Sequence, residues 1–172
     1  NRLELTRDCL TALSQIKDQP EYEVIIVDNS STDGTKEFLA ELKGDVQIIR
    51  NEKNEGFAKA CNQGARAARG QYLVFLNNDT IPQPGWLSSL VSEVDAQPEV
   101  GVVGSKLLYP DGTVQHAGVV RDLEHRLPYH IYKSFAGDHP AVNQRREFQI
   151  VTAGCLLIRR SLFEEVGGFD EG

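Results

Sequence analysis

The stretch EVIIVDNSSTDG, residues 23–34, decides the fold class of this chain. Its first half is a β-branched run, which is typical of a strand buried on both faces. Its second half consists of turn-forming and helix-capping residue types, and a short helical pattern containing Phe38 and Leu39 follows it. A buried strand that leads through a capped turn into a helix predicts an α/β layer with a largely parallel sheet.

The alternation of strands and helices continues along the rest of the chain. In order, the periodicities predict a helix from Leu5 to Ile16, a strand at 46–49, an Ala-rich helix at 56–69, a strand at 71–76, a helix at 84–94, a β-rich hairpin at 100–120, a long polar loop at 121–147, a strand at 148–158 and a short helix from Ser161. We therefore expect one domain over residues 1–172.

Composition and charge exclude several classes of protein. The 172 residues are 40% hydrophobic and 25% charged, as in an average folded domain, and the formal net charge of -7 argues against a nucleic-acid partner. The longest apolar runs fall far short of the roughly 18 residues of a membrane span. The three widely spaced cysteines and the lack of a signal-peptide pattern favour a reducing, cytoplasmic location, with the thiols as packing residues.

Asp28 ends the first buried strand, and a parallel sheet binds its ligands outside the carboxyl ends of its strands. Two roles are open for this carboxylate. It can cap the following turn, which the spacing alone favours. It can instead accept hydrogen bonds from a pyrimidine N3–H or from ribose hydroxyls, in a pocket flanked by Asn29 and Ser30.

A second polar cluster, Asn77-Asn78-Asp79, follows the strand at 71–76. Asp79 is either an ordinary turn residue or a hard carboxylate ligand for a divalent ion that also binds a diphosphate. One carboxylate suffices for the second role, because magnesium commonly completes its coordination with substrate phosphates. The two asparagines would then donate hydrogen bonds to ribose or phosphate oxygens.

Weaker signals lie in two other segments. Asn54 and Gly56 precede the Ala-rich helix, where they either cap it or approach a nucleotide, with Asn62 further along the helix. The histidines His125, His130 and His139 in the polar loop lack compact metal-ligand spacing, so surface positions are their default. The arginines of the same region are expected to be solvated or to face a diphosphate; they are Arg121, Arg126, Arg145 and Arg146.

Six motifs, in this order and spacing, resemble glycosyltransferase family 2. They are VDNSSTDGT at 27–35, the block at 51–64, FLNNDT at 75–80, DGTVQHAG at 111–118, AGCLLIRR at 153–160 and GGFDE at 167–171. The resemblance spans almost the whole chain. Each motif alone is a weak signal, whereas their combination is specific.

The resemblance implies the GT-A fold, a Rossmann-like three-layer α/β/α arrangement with a mostly parallel central sheet. It divides the chain into a nucleotide-sugar-binding half, 1–120, and an incomplete acceptor-side half, 121–172. It implies inverting transfer of a sugar from a UDP- or dTDP-type donor to an acceptor hydroxyl during glycan, polysaccharide or lipid-linked saccharide synthesis. The implied cofactor is Mn²⁺ or Mg²⁺ on Asp79, and the implied nucleotide-sugar contacts are Asp28, Asn29, Ser30, Asn54, Gly56, Asn62, Asn77 and Asn78.

The sequence departs from the family pattern in two respects. Asn77 stands where the D-x-D motif has its first aspartate, which leaves the metal role mainly to Asp79. The family also has an apolar strand before the equivalent of Asn1, and a Glu-Asp motif beyond Glu171 that supplies the general base. We therefore expect a segment that binds donor but turns over poorly, with Asp170 and Glu171 lining the acceptor side.

The same resemblance allows association with the inner face of a membrane and formation of a homo-oligomer. Two alternatives to transfer stay open at this level. One is a nucleotidyltransferase of similar fold, although its Gly-rich N-terminal loop is not present in the sequence. The other is a catalytically incomplete module that only binds a nucleotide sugar, with a flavodoxin-like regulatory domain as a more distant third.

Overall fold

The computed structural model describes residues 1–17, 19–121 and 127–172. In chain order its elements are α1 (Leu3–Gln15), β1 (Val24–Asp28), α2 (Thr35–Glu41), β2 (Val46–Arg50), α3 (Phe57–Ala67), β3 (Tyr72–Leu76), α4 (Trp86–Ala96), β4 (Val102–Gly104), β5 (Leu107–Leu108), β6 (Val114–His116), β7 (Val119–Arg121), β8 (Pro128–His130), a 3₁₀ turn (Pro140–Val142), β9 (Cys155–Arg159) and α5 (Arg160–Glu165). None of the helices in these ranges has the length and apolar character needed to cross a bilayer.

The predicted strand–turn–helix–strand unit is present at the start of the chain. β1 and β2 pair in parallel, with Val24 opposite Val46 and Asp28 opposite Arg50, and α2 connects them. On one side of β1 lies α3, where the missing side chain of Gly64 lets the helix approach Val27. This arrangement confirms the α/β class.

The strand β9 organises the second sheet. It pairs antiparallel with β3, with Leu76 opposite Cys155, and antiparallel with β4 on its other edge. Successive β9 side chains point to opposite faces, so Leu156 and Ile158 pack in one apolar cluster while Cys155 and Leu157 pack in another. The sequence predicts a strand at 148–158. The structure has β9 at Cys155–Arg159; all five residues pair with β3, and the central three also pair with β4.

The β1–β2 pair and the β3–β9–β4 sheet are separate in their hydrogen bonding across the described residues. Their carboxyl ends nevertheless meet at Asn1. The Asn1 side-chain Oδ1 accepts from the Thr32 N–H at 2.7 Å, beyond the end of β1, and the Asn1 carbonyl accepts from Asn78 Nδ2 at 3.4 Å, beyond the end of β3. The ends of β1 and β3 are therefore neighbours, as ligand binding at one edge requires.

The prediction of a long loop at 121–147 is wrong, because this segment contains regular structure. β8 pairs antiparallel with β7, with Val119 opposite His130, and the 3₁₀ turn follows. Each of these strands has three residues, which is too short to produce a readable alternation of polar and apolar side chains. His125 and Arg126, which the sequence analysis names in this segment, lie outside the described residues.

All three cysteines are free thiols, as the sequence predicts. Cys9 and Cys155 are buried and Cys61 is half-buried. Burial raises the pKa of each thiol, to about 11 for Cys61, because the anionic thiolate loses hydration in an apolar environment. Their positions are those of small apolar packing residues.

Replacing Leu157 with Ala tests the central position of β9. Leu157 is 0% exposed, so Leu157→Ala should leave a cavity and lower the free energy of unfolding by about 2–5 kcal/mol, measured by urea denaturation. Leu108→Ala is the matched control, because Leu108 is 46% exposed and its loss should cost far less. Equal losses for the two variants would contradict the assignment of β9 to the core.

Candidate functional site

The carboxylate of Asp28 lies in the turn that follows β1. It is 6% exposed, and its Oδ1 accepts a hydrogen bond from the Ser31 backbone N–H at 3.0 Å. Ser30 adopts a left-handed backbone conformation, with φ of 66°, and its hydroxyl donates to the Glu52 carbonyl at 3.1 Å. Asp28 thus has the turn-capping role that spacing alone favours, and its contact with a nucleotide stays a prediction.

Asn29 joins this turn to the segment before α3. Its Nδ2 donates to Asn54 Oδ1 at 2.8 Å and to the Gly56 carbonyl at 3.2 Å. Its Oδ1 accepts from Asn51 Nδ2 at 3.0 Å and from the Glu55 N–H at 2.9 Å. The structure therefore brings together five of the residues that the sequence analysis assigns to nucleotide-sugar binding: Asp28, Asn29, Ser30, Asn54 and Gly56.

Asp33, the second carboxylate of this turn, caps two helices. It accepts hydrogen bonds from the backbone N–H groups of Arg2 and Leu3, at the start of α1, and from the Thr35 hydroxyl at 2.6 Å, at the start of α2. The Thr35 hydrogen bond and those backbone donors hold the pKa of Asp33 well below its usual range. This anionic cap keeps α1, and Asn1 two residues before it, beside the site.

The turn after β3 is tied down by its backbone. The Asn77 N–H donates to the Gly154 carbonyl at 2.9 Å, just before β9, and the Asn77 carbonyl accepts from the Thr80 hydroxyl at 2.7 Å. Asn78 Nδ2 donates to Thr6 Oγ1 on α1 at 2.8 Å. These contacts fix the turn and leave the Asp79 side chain exposed.

Asp79 and Asn77 line a cavity of about 340 Å³. Its other walls include Tyr109, His130 and Lys133. The cavity therefore offers a carboxylate and an ammonium group, a pair that suits a metal-bound anion. Sequence reasoning missed Tyr109 and Lys133, because neither belongs to a motif that marks it as functional.

Two histidines form a coupled pair at the edge of this cavity. His116 Nδ1 lies 3.0 Å from His130 Nδ1, and the ring centroids are 4.9 Å apart. One nitrogen must donate the shared proton and the other must accept it. His116 is 2% exposed, and burial, reinforced by the nearby His130, lowers its pKa to about 4. His130 is exposed, as expected, but it also contacts the site.

Three loop arginines that the structure describes, Arg121, Arg145 and Arg146, lie outside the cavity lining. Arg145 forms an ion pair with Glu93 on α4, with 2.5 Å between Nη2 and Oε1. The Arg146 guanidinium stacks over the Tyr132 ring, 5.2 Å from its centroid. The cation that the described part of the segment contributes to the cavity is Lys133, which precedes both arginines in the chain.

The structure gives Asn62 partners other than a nucleotide. Its Nδ2 donates to the Phe169 carbonyl at 2.8 Å and to Glu171 Oε1 at 2.9 Å, and its Oδ1 accepts from the Phe169 N–H at 2.9 Å. Asp170 is exposed and accepts from the Gly172 N–H at 3.0 Å. Asn62 is thus grouped with the acidic residues expected on the acceptor side.

An α/β fold with this edge site is that of the GT-A glycosyltransferases. The structure of the mannosyltransferase PcManGT from Pyrobaculum calidifontis, in complex with GDP-Man and Mn²⁺, superposes with a TM-score of 0.72 at 23% identity, covering 99% of this chain and 45% of that one. At that identity the likeness shows the fold alone.

The chain belongs to glycosyltransferase family 2, whose model matches residues 1–167. It is 36% identical to the O-antigen biosynthesis protein RfbC of Myxococcus xanthus, over 99% of this chain and 14% of that protein. It is 27% identical to the N-acetylglucosaminyl-diphospho-decaprenol L-rhamnosyltransferase of Mycobacterium tuberculosis, over 94% of this chain and 59% of that protein. The chain therefore spans part of the length of these relatives.

The buried imidazole predicts a pH dependence of stability. The folded-state pKa of His116 lies below the ordinary value of 6.5, so the unfolded chain binds a proton that the folded chain does not. Stability should fall as the pH is lowered from 6.5 to 4, by about 1–3 kcal/mol. His116→Gln should flatten this slope in urea titrations at several pH values, whereas His139→Gln, at an exposed position, should keep it. Identical slopes for wild type and His116→Gln would refute the prediction.

Proposed function

We propose that this chain is the donor-binding part of an enzyme that catalyses inverting transfer of a sugar from a UDP- or dTDP-type donor to an acceptor hydroxyl in the synthesis of a glycan, a polysaccharide or a lipid-linked saccharide. The observation that carries the proposal is the cavity shared by Asp79 and Lys133 at the end of β3. The names of two relatives, an O-antigen biosynthesis protein and an N-acetylglucosaminyl-diphospho-decaprenol L-rhamnosyltransferase, support the acceptor class. A lipid carrier would hold the acceptor at the cytoplasmic face of a membrane.

The donor would lie along the carboxyl ends of β1 and β3. Asp28 and Asn29 would contact the nucleoside, with Ser30, Asn54 and Gly56 forming the surrounding wall. Asn77 and Asn78 would donate to ribose or phosphate oxygens. The diphosphate would then reach the cavity, where the Lys133 ammonium would offset its negative charge.

A divalent ion fits the chemistry of this cavity. Asp79 offers an exposed hard carboxylate, while no group of three His, Cys, Asp or Glu side chains within the described ranges could hold an ion by itself. Its remaining ligands would be diphosphate oxygens and water, as is usual for Mg²⁺. When bound, the ion supplies charge stabilisation to the leaving diphosphate. The Mn²⁺ in the mannosyltransferase of the same fold supports this assignment.

In the proposed reaction, the acceptor oxygen attacks the anomeric carbon on the face opposite the diphosphate. The new glycosidic bond forms as the bond from that carbon to the phosphate oxygen breaks, and the bonding pair leaves with the nucleoside diphosphate. A carboxylate base would take the hydroxyl proton. Asp170 and Glu171 would lie on the acceptor side and orient the hydroxyl.

The metal assignment is tested by Asp79→Ala. Removing the carboxylate should abolish the Mn²⁺ or Mg²⁺ dependence of nucleoside diphosphate binding, because the ion then has lost its protein ligand. Binding is measured by calorimetry with and without the metal. Asp138→Ala removes an exposed carboxylate outside the cavity lining and should keep the dependence. Unchanged metal dependence in Asp79→Ala would overturn the assignment.

The nucleobase assignment is tested by Asp28→Asn. An asparagine oxygen can still accept from the Ser31 N–H, so the turn is kept while the charged acceptor for N3–H is lost. Affinity for UDP should fall by roughly 10- to 150-fold, corresponding to about 1.5–3 kcal/mol for a hydrogen bond to a charged group. Affinity for ADP should be weak and insensitive to the change. Equal affinities of the wild type for UDP and ADP would exclude this role.

A further inference from the structure

Asn62 on α3 is a polar side chain that is buried in the fold. It is 5% exposed, and both N–H groups of its amide are in use. Its hydrogen bonds all reach the segment that follows α5, through both backbone groups of Phe169 and the carboxylate of Glu171. A buried amide that loses such partners is left unsatisfied at a cost in free energy, so these contacts hold the two segments together.

The close approach of the two segments requires a glycine. Gly168 has a φ of 83°, a conformation that side chains disfavour, and a Cβ placed on it would lie 2.7 Å from Asn62 Oδ1. Gly167 has nearly the same φ, 82°, yet a Cβ there would meet nothing within 4 Å. We call the contact of Asn62 with Gly168, Phe169 and Glu171 the Asn62 latch.

The Phe169 ring packs the latch against β3 and against the start of α3. Its centroid lies 4.9 Å from that of Phe75 on β3, close to the turn that carries Asp79. It lies 6.1 Å from that of Phe57, the first residue of α3, which directly follows Gly56. The latch thus fixes the C-terminal segment against the two structures that position the donor.

The two acidic residues of this segment differ in their environment. Glu171 Oε1 accepts from Asn62 Nδ2 at 2.9 Å and lies 4.0 Å from Arg66 Nη1, so this carboxylate is anchored on α3. Asp170 is exposed, and its side chain bonds within the segment itself. Asp170 lies in the chain between Phe169 and Glu171, which both bond to Asn62.

We propose that Asn62 is a positioning residue for sugar transfer: it fixes Asp170 and Glu171 beside the donor site and does not itself bind the nucleotide. This role rests on the proposed function and assigns Asn62 to the transfer step. Displacing an orienting group by about 1 Å can cost roughly 100-fold in rate without weakening donor binding.

The test uses two variants that break the latch from opposite sides, Asn62→Ala and Gly168→Ala. The matched control is Gly167→Ala, which imposes a similar backbone penalty without reaching Asn62. Three quantities are compared in each protein: hydrogen exchange at the Phe169 amide, kcat for sugar transfer and KM for the nucleoside diphosphate sugar.

Relative to the control, both latch variants should exchange the Phe169 amide at least about tenfold faster, because that N–H loses its partner or its geometry. Their kcat should fall by about 10- to 100-fold, with the donor KM unchanged within about twofold. An unchanged kcat despite faster exchange would overturn the proposal. So would a tenfold rise in donor KM at constant kcat, or an equal loss of kcat in Gly167→Ala.

Failure of the proposed function is distinguishable from failure of the latch. It would be visible in the wild-type protein, as no binding of UDP- or dTDP-sugars. Failure of the latch appears only in the comparison of the variants, in a wild type that binds donor and transfers sugar.

Discussion

The insertion of β9 between β3 and β4 is the constraint on which the rest of the structure depends. Its register sets Leu76 opposite Cys155, so the residue before β9, Gly154, bonds the Asn77 backbone and fixes the turn that carries Asp79. Because side chains alternate along a strand, a slip of one residue would exchange the two apolar faces of β9. The chain continues from β9 into α5 and then places Phe169 against Phe57 of α3. One pairing therefore aligns the turn that carries Asp79 with the segment that carries Asp170 and Glu171.

The electrostatics of the site oppose those of the whole chain. If the proposed function holds, a chain with a formal net charge of -7 would bind a donor that is itself an anion. Long-range attraction would then not be available, and affinity would come from the Lys133 ammonium, from neutral amide donors and from a cation held at Asp79. His116 adds no positive charge to the site at neutral pH, because burial lowers its pKa to about 4.

The features set by short-range sequence were predictable, and those set by distant contacts were not. The β1 strand and the capped turn after it follow from residues within one short stretch, and their grouping with Gly56 follows from the order of parallel strands. The cavity wall around Lys133 depends on strands of three residues, which carry no periodicity. Asn62 lies beside predicted donor contacts in the sequence, but its partners come from the far end of the chain. Because the partners are more than 100 residues apart in the chain, no local pattern predicts this contact.

The three natural cysteines should react only slowly with thiol-labelling reagents. Alkylating reagents attack the thiolate, and the raised pKa values of Cys9, Cys61 and Cys155 keep its population small at neutral pH. A single cysteine introduced at an exposed position, such as Ser134, would react selectively with a maleimide fluorophore. Spectroscopic probes can therefore be attached to the natural sequence without first removing its own cysteines.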